Sequence, residues 1–212
     1  MTDIDQPEDG YARMLRERRN EVVEASWARC DRLFPRRYAD AFADHPEVVE
    51  WVDAYIDKPE QVPGLLLIGP TGTGKTWQAY GALRRAVTYP RPARGVGYRA
   101  DAWSATTHSD LLAMMRPGSK TDPEHELKQM RETPLLLVDD LGVGKNSEWV
   151  EDVTYRLING RYEDMRPSIF TSNLAMSDLK AALGERITSR LAETCTRVVL
   201  VGADRRRAPK ES

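Results

Sequence analysis

Four short apolar runs punctuate the chain, at residues 65–68 (Leu-Leu-Leu-Ile), 135–138, 168–171 and 197–201. Runs of this length bounded by glycine or polar turns are the pattern of strands buried on both faces. Residues 96–100 form a weaker fifth. The stretches between them are long enough for helices. Residues 75–88 place Ala79, Leu83, Ala86 and Val87 on one helical face, and residues 147–164 do so with Val150, Val153, Leu157 and Ile158. Residues 175–192 hold at least one more helix, and 116–124 read as a flexible loop. Upstream, residues 11–34 scatter Tyr11, Met14, Leu15, Val22, Val23, Trp27, Leu33 and Phe34 among many charges, which predicts a helical arm that Pro35 ends. A second short helix is predicted over 46–57, with Val48, Val49, Val52 and Ile56 on one side. Strands alternating with helices predict a five-stranded parallel sheet covered on both faces. Ligands of such sheets bind at the carboxyl ends of the strands.

Composition narrows the class. The chain has 212 residues, enough for one α/β domain with a modest extension. With 41% hydrophobic and 30% charged residues it reads as a folded chain. No apolar run approaches the roughly 20 residues that span a bilayer. The first ten residues are acidic and polar, predicted disordered, and do not read as a signal peptide. Together these predict a cytoplasmic protein with no membrane partner. The net charge is −2, so nucleic-acid binding would need a local basic patch. Cys30 and Cys195 are far apart and form no CxxC pair, and His45, His108 and His125 lack metal-ligand spacing, so no zinc site is expected.

The chemistry concentrates where the first apolar run ends. Gly69-Pro70-Thr71-Gly72-Thr73-Gly74-Lys75-Thr76 matches the phosphate-binding P-loop throughout, between a predicted strand and a predicted helix. Glycines let the backbone approach phosphate, and the loop N–H groups and helix N-terminus supply positive potential. Lys75 is a point charge for the β- and γ-phosphates, and the Thr76 hydroxyl a Mg²⁺ ligand. The nucleotide site is predicted to run from Gly69 to Trp77. The second run ends in Asp139-Asp140. Two adjacent carboxylates fit beside a cation: Asp139 would hold the Mg²⁺ shell and Asp140 polarise the attacking water. The third run ends in Thr171-Ser172-Asn173. Asn173 would either orient that water or, with Ser172, cap a helix starting near Met176. Arg186 and Arg190 stand four apart on a predicted helix, and Arg205-Arg206-Arg207 follow the last strand. They are either solvated surface groups or stabilisers of transition-state phosphoryl charge.

Taken in order, these motifs, with Leu-Leu-Leu-Val-Asp-Asp-Leu-Gly (135–142), Arg161-Tyr162, Thr-Ser-Asn-Leu (171–174) and Gly-Glu-Arg-Ile-Thr-Ser-Arg-Leu (184–191), resemble the AAA+ ATPases of the DnaC/DnaI/IstB group over roughly residues 35–207. The resemblance implies a three-layer αβα P-loop NTPase core at 35–207, an arm at 1–34 and a polar tail at 208–212. It implies ATP and Mg²⁺ as ligands, Asn173 as sensor 1, Arg190 as an arginine finger acting on a neighbouring subunit's ATP, Arg186 as the second candidate, and Arg207 as sensor 2. Self-association into an ATP-bridged spiral or ring follows. A replicative-helicase hexamer and single-stranded DNA are the implied partners. DNA would meet residues 101–132, with Arg116, Lys120, Lys128 and Arg131 as cations and Trp103 as a stacking ring. The arm would either dock on the helicase through Trp27 and Leu33 or pack on its own core. Asp140 stands where many AAA+ proteins carry Glu, which implies slow hydrolysis. An ATPase subunit of a transposition system shares nearly every motif. A small-molecule P-loop kinase accounts poorly for 171–174 and 184–191.

Overall fold

The computed structural model describes residues 10–93, 97–116, 118–144, 147–202 and 204. The first helix, α1 (Gly10–Leu33), leads through a short turn to α2 (Pro46–Asp57). Then β1 (Gly64–Ile68) enters α3 (Lys75–Thr88), and a small ribbon, β2 (Arg91–Pro92) and β3 (Tyr98–Arg99), follows. Next come β4 (Trp103–Thr107), α4 (His108–Met114), α5 (Pro123–Glu132), β5 (Leu135–Asp139), α6 (Glu148–Glu163) and β6 (Ser168–Ser172). The described elements close with α7 (Met176–Leu183), α8 (Glu185–Thr194) and β7 (Cys195–Val199).

Five strands pair in parallel in the order β4-β5-β6-β1-β7. All five residues of β1, β5 and β6 are buried, and alternation sends them into two separate cores. Leu65 and Leu67 of β1 and Leu135 and Leu137 of β5 pack with Val52, Ala79 and Leu83 from α2 and α3. Leu66, Ile68, Leu136 and Val138 pack with Leu157, Leu183 and Leu191 from α6, α7 and α8. A one-residue slip of register would exchange the two sets. The sheet is therefore the middle of three layers.

The arrangement corrects several expectations. The fifth strand of the sheet is β4, not residues 96–100. Val96 lies outside the described residues, and Tyr98 and Arg99 pair antiparallel with Pro92 and Arg91. The sequence of β4, Trp-Ser-Ala-Thr-Thr, hides the strand because only Trp103 is large and apolar. That residue is 4% exposed, packed edge-on to Phe34 with ring centroids 5.4 Å apart, so it does not stack on DNA. The loop expected over 116–124 gives way to α5 at Pro123, where the Asp122 carboxylate caps Glu124 N–H at 3.0 Å. The stretch 175–192, expected to hold at least one helix, holds two, α7 and α8, divided at Gly184 with φ of 87°. β7 begins two residues early because α8 runs straight into it.

The C-terminal half of α1 lies on the α2–α3 side. Cys30 and Phe34 are buried there, Arg84 sits over the Trp27 ring at 4.9 Å, and Arg29 donates to Trp103 O at 3.1 Å. Trp27 keeps 42% exposure and Leu33 53%.

Arg161 fastens the other layer. It is 2% exposed and donates to Met130 O, Arg131 O, Thr133 O, Pro167 O and Ser168 Oγ. Three of these acceptors lie at or just past the last turn of α5, which is the negative end of that helix. Burial pulls the guanidinium down to about 9, still charged at neutral pH. Arg161→Met strips the donors from all of these groups at once. The expected loss of stability is about 3 kcal/mol, read as a lower midpoint in urea. Arg161→Lys should recover only part of it, because an ammonium cannot span the same acceptors.

Candidate functional site

The parallel order sets β6 between β1 and β5, so three chain segments converge at the carboxyl edge of the sheet. Register aligns Ile68 with Ser172 and Val138 with Phe170. The loop after β1 turns back over this edge into α3. Its sharpest demand is at Gly72, where φ is 89° and a Cβ would fall 2.0 Å from Asp204 Oδ1. The Lys75 ammonium donates to Gly69 O and Pro70 O, both at 2.8 Å, and the side chain is held low in the loop at 4% exposure. An anion on the loop would meet this ammonium, the backbone N–H groups and the N-terminus of α3 together.

Below the loop, Asp139 Oδ1 accepts from Thr76 Oγ at 3.0 Å and from Thr171 Oγ at 2.6 Å. Burial pushes the Asp139 carboxyl above the usual carboxylate range, and the Asp140 charge adds to the shift. A divalent cation would relieve both costs. Thr76 and Asp139 are oxygen donors at mutual contact distance, so they fit Mg²⁺, with phosphate oxygens and water completing the shell.

Asp140 takes a left-handed backbone, φ 56°, which Asp tolerates better than most residues. Its N–H bonds Thr171 Oγ at 2.9 Å, and its Oδ1 accepts from Asn173 Nδ2 at 3.3 Å. Thr171 thus ties the Asp139 carboxylate to the Asp140 backbone. The helix-cap role falls to neither expected residue: the N-cap of α7 is Ala175 without a side-chain bond. Ser172 instead bonds Leu141 O at 2.6 Å and Leu174 N at 3.2 Å.

A cavity of about 380 Å³ opens on this edge, lined by Gly72, Gly74, Lys75, Thr76, Trp77, Asp140 and Asn173. Asp139 stands behind Thr76, while Pro70 and Thr71 lie exposed on the loop's outer side. The far end is walled by Arg37, Tyr38, Phe42 and Asp44, which no sequence pattern marked. Gln78, fully buried on α3, holds that wall in place. Its Oε1 accepts from the N–H groups of Asp44 and His45 at 3.0 and 3.1 Å, and its amide donates to Asp44 Oδ1. Gly81 lets Phe42 approach, since a Cβ there would meet the Phe42 backbone at 2.1 Å. Phe42 and Trp77 stand edge to face at 5.9 Å and offer apolar surface to a flat base.

Neither Arg186 nor Arg190 lines this cavity. Arg190 rests on Tyr162, and Tyr162 borders a second pocket walled by Pro63, Gly64, Ser168 and Cys195, at the amino ends of β1, β6 and β7. A five-residue strand spans about 16 Å, so Arg190 belongs to the end of the molecule away from its own phosphate loop. Arg207 lies outside the described residues.

His108 follows β4, whose last residue pairs with Asp139 in register. Its Nε2 lies 2.9 Å from Thr154 Oγ, which itself donates to Val150 O. This assigns the proton to Nε2 and leaves Nδ1 buried without a partner among the described residues. Burial lowers the imidazole from 6.5 to about 4. The folded pKa lies below the unfolded one, so the unfolded chain gains a proton first and stability falls as pH drops from 6.5 toward 4. His108→Gln should flatten this slope by roughly 3 kcal/mol across the window, measured as urea midpoints against pH. Asp139 is shifted the other way and is common to both proteins, so the difference between them isolates His108.

No helix among the described residues is long and apolar enough to cross a membrane. The model of the family described as IstB-like ATP binding protein matches residues 52–211. The replicative helicase loader DnaC of Escherichia coli (strain K12) is 26% identical over 88 residues, 40% of this chain. The aligned stretch spans only 36% of that relative's length. Among solved structures, that of the DnaC helicase loader matches with a TM-score of 0.64 at 22% identity, covering 79% of this chain and 100% of the other. DnaI matches with a TM-score of 0.64 at 22% identity, covering 82% and 94%. At such identities the two structures establish a shared fold, an α/β P-loop NTPase of the DnaC/IstB type.

Proposed function

The chain belongs to the IstB-like ATP-binding protein family, and from that premise we propose that it is an ATP-dependent loader of a replicative DNA helicase, acting in the cytoplasm. The observation that carries the nucleotide half is the convergence of Lys75, Thr76 with Asp139, and Asp140 with Asn173 on one cavity. Lys75 and the loop N–H groups would bind the ATP phosphates. Thr76 and Asp139 would hold Mg²⁺, which supplies charge neutralisation on the phosphates when bound. Asp140, oriented by Asn173 and Thr171, would accept the proton of the attacking water. Phe42 and Trp77 would flank the base. Arg190, remote from this cavity, would complete the site of a neighbouring subunit, so that ATP bridges subunits in a spiral or ring.

The helicase half rests on the likeness to the loaders. The exposed first turns of α1, with Trp27 and Leu33 further along, would dock on the helicase hexamer. Single-stranded DNA would run along the segment 101–132. With Trp103 buried, contact there would rest on Arg116, Lys120 and Lys128, all exposed. Affinity should therefore fall steeply with salt, as phosphate contacts do.

The test is capture from native host lysate on the immobilised chain, with and without a slowly hydrolysed ATP analogue. Helicase recovered with the analogue, and lost when residues 1–21 are removed so that Cys30 and Phe34 stay in the core, supports the reading. A transposase recovered in its place would transfer the same ATPase to a transposition system. That is the second reading, and the IstB-like family match favours it.

A further inference from the structure

An arginine that serves a neighbouring subunit has to be kept in place before the neighbour arrives. α6 carries Tyr155 and Tyr162 seven residues apart, hence on one face, and α8 carries Arg186 and Arg190 four apart. The two helices pack together, and each arginine meets a ring. Arg186 Cζ lies 5.7 Å from the Tyr155 centroid and Arg190 Cζ only 4.0 Å from that of Tyr162. The second rung has a further member. The Tyr162 hydroxyl donates to Glu193 Oε1 at 2.8 Å, and Glu193 Oε2 lies 3.6 Å from Arg190 Nη1. Arg190 therefore has an aromatic face beneath it and a carboxylate beside it, and Tyr162 holds both.

We propose that Tyr162 is the positioning residue of Arg190, and that Glu193 is a resting partner which the phosphate of a neighbouring subunit's nucleotide displaces. The proposal rests on the reading of Arg190 as the residue acting between subunits. Two physical features separate it from simple helix-to-helix adhesion. Contact through the ring face consumes none of the guanidinium's N–H donors, so they stay available for phosphate. The ion pair to Glu193 is solvent-exposed and long, so it is weak and exchangeable, whereas a nucleotide phosphate brings more charge and bidentate geometry. The hydrogen bond to Glu193 also raises the Tyr162 phenol above its ordinary value, so it remains a donor at neutral pH.

Mixed assemblies test this, with ATP turnover as the readout. Tyr162→Ala is expected to lower kcat at saturating ATP by about tenfold, the range of a lost positioning contact, while each subunit binds nucleotide as before. Tyr162→Phe keeps the ring and should recover most of the loss, and Tyr162→Leu, which keeps bulk without a π face, should not. Mixing Tyr162→Ala with Asp140→Asn should restore turnover, because an intact Arg190 face then serves an intact ATP site. Mixing Tyr162→Ala with Arg190→Ala should not, because both are defective on the same face. Recovery in that second mixture, or full activity of Tyr162→Leu, would overturn the proposal while leaving the role of Arg190 standing. Failure of Arg190→Ala with Asp140→Asn to recover would instead sink the role of Arg190, and the proposal with it. Glu193→Gln should lower the ATP-analogue concentration needed for half-maximal assembly by about threefold, a weak surface pair's worth. An unchanged or raised concentration would overturn the Glu193 half.

Discussion

Arg190→Ala is expected to cut steady-state ATP turnover by a factor on the order of 10³, the scale of a missing arginine finger, with nucleotide affinity per subunit unchanged. The guanidinium stands away from its own cavity, so it contributes nothing to ATP held by the same chain. Its charge would count only where phosphoryl charge develops across an interface. Fluorescent-nucleotide titration and phosphate release measure the two quantities separately. A large fall in affinity without change in turnover would mean that Arg190 shapes its own subunit. Arg186, exposed and more loosely stacked at 5.7 Å, should show the smaller effect when replaced by alanine.

Lys75→Ala should remove the thermal stabilisation expected when ATP with Mg²⁺ is added to the wild-type chain. Ligand binding to the folded state raises stability with the logarithm of ligand over Kd. Losing a charge-assisted contact to phosphate weakens binding by roughly 100-fold, which moves millimolar ATP from saturating to marginal. The variant also loses the bonds to Gly69 O and Pro70 O, so its melting temperature without nucleotide should fall somewhat. The change on adding ATP is the decisive quantity. A wild-type shift in the variant would remove Lys75 from the phosphate site.

The legible parts of the sequence were those written in local, repetitive terms. β1 and β5 are continuous apolar runs, β6 centres on Ile169-Phe170, and the helices α2, α3 and α6 follow a clean helical period, so each is readable within a residue or two. The P-loop was legible because backbone chemistry forces glycines at fixed spacing. β4 carries no apolar run because a strand at the sheet edge can bury Trp103 and leave Ser104, Thr106 and Thr107 half exposed. At the site, Asp139, Asp140 and Asn173 stood at strand ends, where the α/β rule directs attention. Thr171 stands unmarked between them, because its value lies in tertiary contact: one hydroxyl bonds the Asp139 carboxylate and the Asp140 N–H from the next strand. Arg37, Tyr38, Phe42, Asp44 and Gln78 were invisible for the same reason. They meet only when the segment before α2 folds onto α3. Arg161 belongs to a sequence motif, but its five acceptors come from the end of α5 and the approach to β6, which no local pattern brings together.

Asp140 would set the pace of hydrolysis. Its side chain is one methylene shorter than Glu, and a left-handed backbone with a bond from Asn173 places it at the cavity. A site built this way suits slow turnover, with ATP acting first as the ligand that selects the assembled state. The most direct test is specific ATPase activity measured against protein concentration at saturating ATP and Mg²⁺, with molar mass followed by light scattering in the same samples. Activity per chain is expected to rise with concentration and to level off as the assembled mass appears. Activity per chain that stays constant down to concentrations where the protein is monomeric would contradict it.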